Sequence, residues 1–191
     1  MSTLSKYRVP LGKYAFHTTS TANIESIRNR GILRSEPTNI DTADIDSALE
    51  ELGYDDPFPF DRSQVTYCHV DPSYVESVTN SELAPGDAIV VVDVEDIQAP
   101  MYLADMSIIS DLIDYRVVGP EVMMYADSPD EVVRLYQESI VSVDSGAEIA
   151  SNPGPERSHT ELVIDGDILP TAIVDVCGLD GSNDMSGRDA G

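Results

Sequence analysis

Positive charge is what this chain of 191 residues has least of: 11 lysines and arginines face 35 aspartates and glutamates, for a formal net charge of -24 at pH 7. Lys6 and Lys13 are its only lysines. A basic stripe for gripping a phosphate backbone is therefore missing, yet this does not exclude a nucleic-acid substrate. Phosphate contacts weaken steeply as salt rises, so a protein working in brine gains little from such a patch. The acid is spread along the chain rather than gathered in a tail, which marks a solvated surface. Self-repulsion of this size is tolerable where salt screens it, with a Debye length of about 3 Å at 1 M. Composition thus points to a high-salt cytoplasm of the halophilic kind. The rival reading, a nucleic-acid mimic, would concentrate its acid on one face.

Cysteine is scarce as well. Cys68 and Cys177 stand far apart in apolar, strand-like runs and read as buried free thiols. The three histidines, His17, His69 and His159, show no HxH or HxxxH spacing, and no cysteine joins them at ligand spacing, so no metal site is expected. No GxSxG elbow is present. No Gly-rich phosphate loop is present either, which leaves the Rossmann and P-loop readings without support. The longest uninterrupted aliphatic run, Ala88 to Val92, is too short to span a bilayer, and no apolar signal core opens the chain. A soluble, cytoplasmic protein without a membrane partner is expected. Apolar residues make up 41% of the chain, enough for one core at this length. We expect a single domain over residues 1–178 and a flexible polar tail over 179–191.

Periodicity supplies the elements. A short strand ends at His17, and the hydroxyl cluster Thr18, Thr19, Ser20 and Thr21 turns the chain and offers N-caps. An amphipathic helix carrying Ile24 and Ile27 follows and stops at Gly31. The stretch from Ser35 to Arg62 is polar and proline-punctuated, the kind of long segment that covers a site. Within it, Thr42 to Leu52 predicts an acidic helix with Ile45, Ala48, Leu49 and Leu52 facing inward. Gln64 to Val70 alternates as a strand, and Ser73 to Thr79 reads as a helix. The run from Ala88 to Val94 predicts a buried central strand. Met101 to Ala104 reads as extended, Ser107 to Tyr115 as a helix and Glu121 to Ala126 as a strand. Ser128-Pro129-Asp130-Glu131 opens a helix that runs to about Ser139. Residues 144–157 read as a loop. His159 to Ile164 predicts a strand that pairs with Leu169 to Val176 as a hairpin. Met101, Met106, Met123 and Met124 are expected in the core. Strands and helices without strict alternation favour α+β.

The residues left to carry chemistry are His17, Tyr67 and Glu161. His69 shares a strand face with Tyr67 by the period of two, and His159 shares one with Glu161. An imidazole at a strand mouth beside a helix N-terminus suits a nucleotide or pyrophosphate. The run Phe16-His-Thr-Thr-Ser, with Asn23-Ile-Glu-Ser-Ile and Gly31-Ile-Leu, resembles the first motif of the ADP-ribosyltransferase fold. It is similar to the DarT-like DNA ADP-ribosyltransferases, which act as toxins, and to the RNA 2'-phosphotransferases. Val65-Thr-Tyr-Cys-His-Val resembles the second motif of that fold, and Ser158-His-Thr-Glu-Leu-Val-Ile with Ile168-Leu-Pro the third. The resemblance implies a split β-sheet core with peripheral helices and NAD as substrate. It implies DNA or RNA as acceptor, with Glu161 and His17 as catalytic residues. His17, Thr18, Ser20, Tyr67 and His69 would contact the NAD. Arg34 and Arg62 are available for the arginine that DarT-like enzymes use. The winged-helix-like appendage and basic set of the RNA phosphotransferases are not evident. NAD-dependent RNA 2'-phosphotransfer remains the enzymatic alternative, and a catalytically inactive copy of the fold serving as a binding or regulatory protein is the alternative of another class.

Overall fold

Alternation along seven strands decides the architecture of this protein. The computed structural model describes residues 4–8, 10–34, 40–79, 86–119, 121, 123–152 and 160–178. The expected tail and His159 lie outside these residues, as does part of the polar stretch after Ser35. The strands are β1 (Tyr14–Thr19), β2 (Thr66–His69), β3 (Ala88–Asp93), β4 (Met101–Asp105), β5 (Val141–Val143), β6 (Thr160–Ile164) and β7 (Ile173–Gly178). They form one open antiparallel sheet in the order β5-β4-β6-β2-β1-β3-β7. Six helices accompany it among the described residues: α1 (Ile24–Arg30), α2 (Ile40–Glu51), α3 (Pro72–Thr79), α4 (Met106–Val117), α5 (Pro129–Ser139) and α6 (Gly146–Ser151). The fold is a mixed α/β one built on a single sheet. No described helix is long and apolar enough to cross a membrane.

The period of two sends alternate side chains to opposite faces. Ala15, Cys68, Val90, Val92, Leu103, Leu162 and Ile164 turn one way and join Ile27 of α1 and Ile149 of α6 in a single cluster. On the other face the residues divide. Tyr67, Tyr102, Ala104 and Val163 meet α2, α4 and α5. Phe16, Ile89, Val91 and Cys177 meet Val75 of α3 and the N-terminal Leu4 and Tyr7. The boundary between those two clusters runs along the β1–β2 junction, where the register is Phe16 opposite His69. β3 holds the centre of its half: Ala88 to Val92 are each no more than 1% exposed. Each buried valine or isoleucine there contributes about 1.5–3 kcal/mol. Both cysteines are free and buried.

Four expectations are corrected. β7 does not fold back on β6; it crosses to the opposite edge and pairs with β3, while β6 lies between β2 and β4. The turn Pro170–Ala172 and the bridge between Ile32 and Ile168 redirect the chain before the strand begins. The described part of residues 121–126 forms no strand. The Asp111 carboxylate on α4 takes the Met124 and Tyr125 N–H groups at 3.0 and 2.7 Å, donors that a ladder would need. That turn also leaves Met124 79% exposed, outside the core. Within 144–157, Ser145 caps α6 by accepting from the Glu148 N–H.

Candidate functional site

The first and third sequence motifs are stitched together by backbone. Gly31 ends α1 with a φ of 83°, and a Cβ built on it would lie 2.0 Å from the Ile168 carbonyl oxygen. This close approach lets Ile32 and Ile168 exchange two hydrogen bonds of 2.9 and 2.8 Å. In the same motif Ser20 Oγ accepts from the Ala22 N–H at 3.3 Å and caps the short turn Thr21–Asn23 rather than α1, whose N-cap Asn23 makes no side-chain bond. Asp87 receives the Thr21 N–H and hydroxyl. Ser20 is thus exposed and engaged in turning the chain.

One row of paired residues crosses four strands: Phe16 on β1, His69 on β2, Glu161 on β6 and Ala104 on β4. Paired residues share a face, so His69 and Glu161 are neighbours on the divided side of the sheet. Tyr67 lies on that face by alternation, and Thr18 shares the face of Phe16. His17 belongs by alternation to the other face. There β1 and β2 part, and its Nδ1 lies 3.0 Å from the Tyr67 carbonyl oxygen. The structure therefore gathers Tyr67, His69 and Glu161, sets His17 against the backbone of the same junction, and keeps Ser20 in its cap.

Glu161 is only 5% exposed, and every residue of β6 is buried. Its Oε1 accepts the Tyr136 O–H at 2.8 Å. The Tyr136 oxygen in turn accepts from Arg62 Nη1 at 3.2 Å. Arg62, 8% exposed, sits in the turn Arg62–Gln64 that Asp61 caps. Its guanidinium carbon lies 5.2 Å from the Tyr67 ring centre and 5.8 Å from that of Tyr136, both within cation–π range. Arg62 Nε stands 3.5 Å from Asp46 of α2, an ion pair in which that nitrogen makes no hydrogen bond. Arg34, by contrast, is exposed, and its N–H donates to Asp167.

Burial sets the titration of these groups. It pushes Glu161 above the ordinary carboxylate value, while the Arg62 charge and the Tyr136 hydrogen bond pull it back and Asp105 adds to the rise. Burial also holds His17 below the usual imidazole value, against the hydrogen bond to Tyr67. His69 is pushed down to about 4, chiefly by burial, with His17 adding to the effect. Both imidazoles are therefore neutral near pH 7 and able to donate or accept. Tyr67 and Tyr136 are pushed up by burial and keep their protons. No group of His, Cys, Asp and Glu among the described residues could hold a metal ion.

Sequence reasoning named Arg62 without a position and missed Tyr136 and Asp46. The sequence offers Arg62, beside Arg34, only as a candidate for the arginine that DarT-like enzymes use. Tyr136 gave no signal, since an aromatic residue on an apolar helix face reads as core. Comparison with protein-family models, with curated proteins and with solved structures finds no match.

Proposed function

We propose that the protein transfers ADP-ribose from NAD to a nucleic acid, with Glu161 as the working carboxylate. The observation that carries the reading is adjacency. Three motifs separated by tens of residues in the chain meet on β1, β2 and β6, three neighbouring strands, around the row from Phe16 to Glu161. The division of the helical face into two clusters along β1–β2 supports the finer expectation of a split, ADP-ribosyltransferase-like sheet.

The chemistry follows from the groups present. Cleavage of the nicotinamide–ribose bond sends its electron pair to the ring nitrogen, which turns the pyridinium into neutral nicotinamide. The ribose carbon becomes cationic in the process. A carboxylate beside it stabilises that charge, bonds the ribose 2'-OH, and takes the proton of the attacking acceptor as the new bond to carbon forms. Glu161 fills this role. Tyr67 and His69 offer flat faces to nicotinamide, one face of Tyr67 lying against Arg62. His17, on the other face of the sheet, reaches a ribose hydroxyl only through the junction where β1 and β2 part, and its role rests on the motif resemblance alone. Thr18 is the hydroxyl placed to bond the cofactor from β1. A protein of net charge -24 handles such a polyanion where salt screens repulsion, so a high-salt cytoplasm belongs to the same proposal.

One observation favours a second reading, that of a silent binding module: Glu161 is 5% exposed and one of its oxygens is already bonded by Tyr136. Incubation with adenylate-labelled NAD and single-stranded DNA or RNA in high KCl separates the two. Label carried by the nucleic acid, and lost in Glu161→Gln, is the expected result. Label in no acceptor, with the protein folded, overturns the transfer reading in favour of the silent module.

A further inference from the structure

We propose that Tyr136 is a positioning residue that holds Glu161 through one oxygen while standing between its carboxylate and the buried Arg62 guanidinium. The inference rests on the reading of Glu161 as the working carboxylate. Its geometry admits one direction of hydrogen bonding. A guanidinium only donates, so the Tyr136 oxygen, 3.2 Å from Arg62 Nη1, must accept from it. The phenol proton is then committed to Glu161 Oε1 at 2.8 Å. The ring itself is fixed: Tyr136 is 0% exposed, and Phe58 meets it edge-on with ring centres 5.0 Å apart. Ser128 caps the helix that carries it.

The spacer has a chemical consequence. Arginine and carboxylate in direct contact tend to pair through two parallel hydrogen bonds, which occupies both oxygens. With a phenol between them the cation still favours the ionised carboxylate, and the relay uses Oε1 alone. Oε2 is left for a sugar hydroxyl.

The surrounding groups make this support necessary. Asp105 at the end of β4 pushes Glu161 toward its protonated form. Tyr67 and His69 on β2 and Tyr74 on α3 are neutral near pH 7. Asp46 of α2 draws on Arg62 from the other side. Among the described residues Arg62 is thus the cation of the cluster, and Tyr136 links it to the carboxylate by hydrogen bonds.

The test compares wild type, Tyr136→Phe and Arg62→Gln, all checked for fold by circular dichroism. Nicotinamide release from NAD in the presence of single-stranded DNA or RNA is followed against pH, and the Glu161 side-chain carboxyl carbon is titrated by 13C NMR. Tyr136→Phe is expected to lower kcat about tenfold, the scale of a hydrogen bond to a charged group, with KM for NAD changed less than about threefold. Its acid limb and its Glu161 titration both move to higher pH, and Arg62→Gln moves the titration the same way. An unchanged titration in both variants overturns the proposal. If the wild type releases no nicotinamide, the transfer reading fails, and the NMR titration alone still decides the role of Tyr136.

Discussion

Taking a carboxylate out of water costs several kcal/mol unless its partners compensate, and a well-packed apolar residue is often as stable in its place. Glu161 lies between Thr160 and Leu162 on a wholly buried strand, and the Arg62 charge and Tyr136 hydrogen bond do not fully offset its burial. A carboxyl whose value is raised in the folded state holds its proton more tightly there than in the unfolded chain. Its contribution to stability is therefore complete below the unfolded value and is lost as pH rises through the raised one. Glu161→Gln escapes that loss. The variant should melt above the wild type at pH 7, with the difference shrinking toward about pH 4, near the ordinary carboxylate range. Thermal unfolding at the two pH values checks this; a lower melting temperature at pH 7 would mean that Glu161 is there for stability. A residue that costs stability where it stands is the kind retained for function.

Among the elements, the joint between the first and third motifs bears most directly on the site, because it ties the end of α1 to the segment following β6. Gly31→Ala would place a methyl group against the Ile168 carbonyl at a positive φ, and should cost about 2–3 kcal/mol, read as a lower denaturant midpoint with an unchanged slope. The runs at its two ends, a helix stopping at Gly31 and Ile168-Leu-Pro, were legible as motifs, but their meeting was not expected. Strands with continuous apolar runs or clean alternation were legible too, and so were α2, α4 and α5, whose inward residues recur at helical spacing. The partner of β7 was not legible. Neighbours in sequence are the default partners, and the turn Pro170–Ala172 together with the Ile32–Ile168 bridge, a contact across more than a hundred residues, precedes the departure of β7 from β6. The misread segment at 121–126 has the same origin, since the buried Asp111 that claims its N–H groups looks in sequence like any other acid of this chain. At the site, His17, Tyr67, His69 and Glu161 could be named from their motifs. Tyr136 and Asp46 belong to the cluster through packing between helices, which no local pattern encodes.

At the scale of the molecule, a net charge of -24 makes self-repulsion a term that salt can screen. Among the described residues, ion pairs at the surface join Arg116 to Asp44 and Glu51 and Arg134 to Glu131 and Glu138. Salt at about 1 M would shorten the reach of the repulsion left by 35 acids against 11 bases to about 3 Å. The Arg62–Asp46 contact ties α2 to the cluster over Glu161. The proposed high-salt setting predicts activity in concentrated KCl that falls in dilute buffer. The measurement that tests the account most directly is nicotinamide release from NAD, with single-stranded DNA or RNA present in concentrated KCl, by wild type, His17→Ala and Glu161→Gln. The account predicts release by the wild type, a loss of about a hundredfold or more in Glu161→Gln, and a smaller loss in His17→Ala. Release by the wild type that Glu161→Gln retains in full would contradict it.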